Sequence, residues 1–312
     1  LVWNEQSVHT PAFLGVKRLE DFSLREIARY IDWTFLFIAW ELKGRYPTIF
    51  EHPQYGAPAK ELFENASQLL ERIMSEKLIV ARAVYGFWPA ASENDDIILY
   101  TDETRSHELS RFNMLRQQSL EADVSRSLAD FVAPKSSGLR DYVGGFAVTA
   151  GIGAEELSKV FEKELDDYNA IMVKALADRL AEAFAELMHQ RVRREWGYAK
   201  DEDLSNSDLI AEKYRGIRPA FGYPACPDHT EKFKLFDLLG APSVGIELTE
   251  NLAMTPAASV SGIYLGHAKS QYFNVGKLGK DQLVSYAARK GMTIAEVEKW
   301  LGPNLGYEPE RS

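Results

Sequence analysis

The chain has 312 residues, 46% hydrophobic and 26% charged, enough to bury a substantial core. Its formal net charge of −10 works against binding to nucleic-acid phosphates, and no basic run interleaved with aromatics offsets that. No apolar stretch approaches the ~20 residues that span a bilayer, so nucleic acid and membrane are both set aside as partners. A single cysteine, Cys226, rules out an intrachain disulfide and fits a reducing compartment. The N-terminus lacks the basic-then-apolar order of a secretory signal, which predicts a cytoplasmic protein. Opening on Leu1-Val2-Trp3 with no initiator methionine, the chain reads as a piece of a longer polypeptide.

Residues 10–15 are expected to be extended. Ser23 offers an N-cap and Glu26 the returning half of a capping box, which predicts a short helix through Tyr30 that ends near Asp32. Residues 33–40 are apolar and aromatic, and prolines at 47, 53 and 58 make the following stretch a loop. Leu62, Phe63, Ala66, Leu69, Leu70 and Ile73 recur three and four apart, predicting a helix over 59–75. Strands are expected over 79–84, 97–100, 112–115 and 142–150. Strands clustered before a long helical stretch point to an α+β fold, a mainly antiparallel sheet with flanking helices in one elongated domain. No Gly-x-Gly-x-x-Gly follows a strand, so a dinucleotide fold has no support.

Residues 155–196 hold the strongest helical rhythm, from Leu157 through Met172, Leu180 and Phe184 to Val192. Unbroken, that helix would be ~60 Å long, so a bend or break is expected within it. Arg191, Arg193 and Arg194 near its end, ahead of Gly197, suit the helix dipole and a glycine stop. Further on, strands are expected over 244–248, 258–265 and 272–275, the last two joined by a turn at 266–269 in which His267 is solvated. Helices over 281–290 and 295–301 close the chain, Thr293 and Glu296 forming a second capping box.

The stretch from Arg218 to Thr230 organises the rest. Its three prolines and one glycine in thirteen residues cannot continue a helix or fill a central strand. A rigid loop follows, with an arginine fork suited to a carboxylate, a glycine that admits close approach and an aromatic ring at Tyr223. From spacing alone, Arg218 also fits a structural arginine bonded to loop carbonyls. Cys226 and His229 invite a metal or nucleophile reading, but no second ligand pair accompanies them, and Asp228 is badly placed to orient an adjacent imidazole; loop packing explains both better. Asp178 and Glu182, four apart on the long helix, share one face, as a solvated stripe or as a functional pair.

Arg-x-x-x-Gly-Tyr-Pro over 218–224, followed by Ala-Cys-Pro-Asp-His-Thr-Glu-Lys, closely resembles the S-adenosylmethionine-binding activation domain of cobalamin-dependent methionine synthase. The resemblance extends to Tyr30-Ile31-Asp32-Trp33-Thr34, to Gly86-Phe87-Trp88-Pro89-Ala90, to residues 171–184 and to residues 299–307, so it covers essentially the whole chain. One departure is Phe221, where that family commonly has proline. The resemblance implies that Asp32, Arg218, Ala220, Gly222, Tyr223, Tyr272 and Phe273 form the S-adenosylmethionine site, with Asp178 and Glu182 near the S-adenosylmethionine and cobalamin contacts. It implies Arg218 on the methionine carboxylate, Asp32 and loop carbonyls on the amino group, Tyr272 and Phe273 around the nucleoside, and Tyr223 toward cobalamin. No Asp-x-His-x-x-Gly cobalamin-binding pattern is present, so cobalamin is expected on a neighbouring domain of the same enzyme. The implied activity is methyl transfer from S-adenosylmethionine to cob(I)alamin during reductive reactivation, with flavodoxin or a related flavoprotein as reductant and little activity in the isolated chain. Two rivals stand beside it: a non-catalytic module that senses S-adenosylmethionine or docks a partner, and a hydrolase using Cys226 and His229.

Overall fold

A computed structural model describes residues 1–118 and 124–309. The chain enters through strand β1 (Gly15–Phe22) and then forms helices α1 (Leu24–Ala28), α2 (Thr34–Ala39) and α3 (Gly56–Ser75). Ser23 caps α1 by accepting the Glu26 N–H, without the return bond of a full capping box. The first segment of the sheet follows, β2 (Val80–Glu93), β3 (Asp96–Tyr100), β4 (Glu108–Asn113) and β5 (Asp141–Ile152). Helices α4 (Ala154–Lys163), α5 (Asp167–Trp196) and α6 (Asn206–Ile210) lead to the proline-rich loop. After it come α7 (Glu231–Leu239), the small pair β6 (Glu247–Leu248) and β7 (Met254–Thr255), then β8 (Ser259–Tyr264), α8 (Lys280–Lys290) and α9 (Ile294–Trp300).

Among the described residues, the main sheet runs β4-β3-β2-β5-β8, with β1 also paired to β2. Every pairing in it is antiparallel, so the α+β class with a mainly antiparallel sheet holds. β2 is long enough that β1 takes the first part of one edge and β3 the last part, while β5 lies along the other edge. Both faces are covered, which erases the alternation a half-exposed strand would show. Ala81, Ala83, Tyr85 and Phe87 enter the core under α5, whereas Val84, Trp88 and Ala90 enter the core on the α7 side. A third, smaller cluster lies beneath α8 and α9.

The long helical stretch does break. α4 ends at Lys163, Leu165 adopts φ 61°, and Asp166 recaps α5 by accepting the Asn169 N–H. Gly197 ends α5 at φ 92°. Thr293 and Glu296 form the predicted capping box at the start of α9.

Several elements differ from expectation for identifiable reasons. Residues 272–275 form no strand, because residues 217–219 already occupy the edge of β8 that they would need. Residues 241–244 form a 3-10 turn around Pro242, which leaves only Glu247–Leu248 in the expected 244–248 strand. β4 starts earlier than 112 and ends at Asn113; its outer half, with Glu108, Ser110 and Arg111, is polar and gave no apolar signal. His267 is buried and its ring packs 4.4 Å from that of Trp3, so it is not solvated. No described helix is long and apolar enough to cross a membrane.

Candidate functional site

The site is built on an added edge of the sheet. Ile217 and Leu265 exchange backbone hydrogen bonds of 3.0 Å, and Ile263 N–H donates to Pro219 O at 3.0 Å. Close approach here depends on Gly262, where a Cβ would stand 2.5 Å from Pro219 O. Ile217 points into the α7-side core, so in this extended stretch Arg218 must point to the opposite, α5, face.

There Arg218 is largely buried, with 19% of its side chain exposed, and its Nη1 lies 2.7 Å from Glu186 Oε2. Nη1 also donates to Tyr214 Oη at 2.9 Å and faces His189 Nδ1 at 3.3 Å. The Arg218 backbone N–H donates to Tyr272 Oη at 3.0 Å. Burial works against the Arg218 charge, but Glu186, with Tyr214 and Tyr272, outweighs it and keeps the guanidinium protonated. Burial, reinforced by Arg218 and Arg193, holds His189 neutral, well below its ordinary range. Its Nδ1 therefore serves as an acceptor.

Past Ala220 the loop folds on itself through Tyr223 N–H to Ala220 O, Cys226 N–H to Tyr223 O, and Gly222 N–H to Cys226 O. Gly222 has φ 96°, and a Cβ on it would fall 2.2 Å from His229 Cε1, so the imidazole lies directly on the glycine. Lys232 Nζ then donates to His229 Nδ1 at 3.1 Å and to Leu252 O at 3.0 Å. The Cys226 thiol donates to Ala220 O at 3.0 Å, and burial pushes its pKa up, so it is a poor nucleophile. Asp228 is taken by Thr230, Tyr286 and Lys290. The second half of the motif is thus loop architecture.

Between this loop, β8 and the Tyr272–Phe273 segment lies a cavity of about 360 Å³, within the usual size range of small-molecule sites. Of the residues singled out in the sequence, Glu182, Arg218, Ala220, Tyr223, Tyr272 and Phe273 line it. Gly222 stands behind it, against His229. Asp178 lines a neighbouring groove that meets the cavity at Met254, and burial raises its pKa. Asp32 lines neither; its Oδ1 accepts the Thr34 N–H at 2.9 Å and opens α2. Tyr30 bonds Gln190 and Phe35 lies under Arg179, which packs the segments on either side of Asp32 against α5.

Sequence reasoning missed Glu186, His189, Tyr214 and Lys232. Glu182, Glu186 and His189 stand four and three apart on one face of α5, interleaved with the apolar residues that set its rhythm.

Residues 23–291 match the family described as vitamin B12 dependent methionine synthase, activation domain. The chain belongs to this family. Activation domains of this kind form part of a methyltransferase, the B12-dependent methionine synthase. The chain is also similar to a solved structure, the crystal structure of the MetH reactivation domain bound to AdoHcy. The two are 49% identical with a TM-score of 0.95, over 99% of this chain and 96% of that one. The loop from Arg218 to Lys232 and the cavity beside it fall inside the span that matches the activation-domain family.

Proposed function

We propose that the whole chain acts as one cytoplasmic activation domain that binds S-adenosylmethionine in the cavity beside Arg218 and offers its methyl group to cob(I)alamin. The cobalamin is carried by the cobalamin-binding domain of the same enzyme, and the event is reductive reactivation, with electrons from flavodoxin or a related flavoprotein. One observation carries the reading: a buried guanidinium, anchored on one nitrogen, stands at the wall of a ligand-sized cavity. The AdoHcy held by the similar MetH reactivation domain supports it.

In this reading Arg218 takes the methionine carboxylate. The Ala220 backbone, Glu182 and Asp32 serve the ammonium, and Tyr272 and Phe273 pack around the nucleoside. Gly222 lets the loop close on His229. Tyr223, 63% exposed, meets the incoming cobalamin, and Asp178 flanks that approach. Bound cobalamin would supply a cobalt nucleophile that takes the methyl carbon as the sulfonium leaves as a neutral thioether. Because that leaving group needs no proton, the chain requires no general acid, base or covalent residue; holding the methyl in line is its contribution.

Titration calorimetry with S-adenosylhomocysteine tests the site. Arg218→Ala should weaken binding by ~1.5–3 kcal/mol, the loss of a charged bidentate contact. Native affinity in that variant would remove Arg218 from the carboxylate role. Failure of the full enzyme, with its cobalamin-binding domain present, to remethylate cob(I)alamin from S-adenosylmethionine under reducing conditions, with binding intact, would favour the sensing module.

A further inference from the structure

The way Arg218 is held goes beyond its presence in the cavity wall. A guanidinium has five N–H donors in one plane, two of them on Nη1. Those two go to Tyr214 Oη at 2.9 Å and His189 Nδ1 at 3.3 Å, and Glu186 Oε2 forms an ion pair with the same nitrogen at 2.7 Å. Among the described residues no acceptor engages Nε or Nη2, although the side chain is four-fifths buried. Glu186 reaches Arg218 with one oxygen only, and its other oxygen is buried with no protein partner. Tyr214 is itself braced, with the Arg193 guanidinium 4.0 Å from its ring centre and the His189 ring 4.9 Å away edge-on.

Resting on the reading of Arg218 as the carboxylate anchor, we infer that Glu186 and Tyr214 are positioning residues. They immobilise Nη1 so that the ligand carboxylate docks side-on against Nε and Nη2. With Nη1 occupied by Glu186, Tyr214 and His189, the guanidinium cannot offer its Nη1/Nη2 end. The zwitterionic head of S-adenosylmethionine is selected by an edge whose direction two residues outside the cavity set. Glu186 also carries a charge that repels the ligand carboxylate, so removing that charge without loss of orientation would tighten binding. Weakening is therefore the specific signature of positioning.

The test uses the intact chain and two probes, S-adenosylhomocysteine and 5′-methylthioadenosine, which keeps the nucleoside and lacks the amino-acid head. Glu186→Gln and Tyr214→Phe should each weaken S-adenosylhomocysteine by about five- to fifty-fold, the range for one lost charged or neutral hydrogen bond. Each should leave 5′-methylthioadenosine within roughly two-fold and add little in an Arg218→Ala background, because coupled residues are not additive. Should Glu186→Gln fail to fold, Tyr214→Phe, which removes a single oxygen, decides alone. Native or tighter affinity for S-adenosylhomocysteine, or equal losses for both probes, overturns the inference. A native affinity in Arg218→Ala would instead overturn the carboxylate reading beneath it.

Discussion

Gly262 has no room for a methyl group, since a Cβ there would press 2.5 Å from Pro219 O and 3.1 Å from Phe146 Cε1. Gly262→Ala should push residues 217–219 off β8 at an overpacking cost of ~1–3 kcal/mol. In a chain of this size each ~1 kcal/mol lowers the melting temperature by about 2–4 °C, which calorimetry would register. S-adenosylhomocysteine affinity should fall with it, because Arg218 is aimed by its two neighbours' bonds to β8. Much of this site was legible in the sequence: arginine, glycine, tyrosine and three prolines crowd into thirteen residues, and each limits the backbone in a way that can be read locally. Glu186 and His189 were not, because they sit in the apolar rhythm of α5 some thirty residues upstream, and only the fold brings them behind Arg218. Cys226 and His229 read correctly as packing, since the thiol bonds Ala220 O and the imidazole covers Gly222.

At the scale of elements, the break between α4 and α5 is set by Leu165, whose φ of 61° is a conformation that leucine takes only under strain. The side chain is 89% exposed, so nothing in its packing offsets that strain. Leu165→Asn, which tolerates the left-handed region, should therefore stabilise the chain by roughly 0.5–1 kcal/mol, visible as a higher urea midpoint with an unchanged slope; a lower midpoint would refute the strain argument. The break was expected from length, and its place was marked by Asp166, an N-cap followed three residues on by Asn169, whose N–H it accepts. Elements with one wet face, such as α3, announced themselves through periodicity. The later part of β2 did not, because burial on both faces removed its alternation, and Gly86 and Pro89 look like punctuation in a central strand. The 272–275 stretch was misjudged for the opposite reason. Its alternation is sound, but pairing needs a free edge, and no local pattern reveals that the edge is taken.

Across the molecule, the loop and the start of α7 are tied to α8 by buried charges. Lys290 lies 2.8 Å from Asp228 and also meets Glu231, with side-chain exposures of 5%, 5% and 1%. Lys290→Met would leave Asp228 buried without its cation, while Glu231 keeps Lys234 at 2.8 Å, and should cost ~3–5 kcal/mol in chemical denaturation. Burial acts to raise the Asp228 pKa, but Lys290, Thr230 and Tyr286 outweigh it and hold the carboxyl below its ordinary value. Stability from a group so depressed is complete above its unfolded value, about pH 4, and is lost as pH falls through the lower folded one. The deficit of Lys290→Met should accordingly shrink as the solution is acidified below about pH 4; a constant deficit would show that Asp228 does not depend on Lys290. The backbone of 217–219, sewn to β8 at three points, has a kinetic corollary. With no hinge next to the guanidinium, small-molecule capture has no isomerisation to wait for. Stopped-flow association should then climb in proportion to ligand concentration with no plateau; a plateau would reveal a movement of this edge before capture.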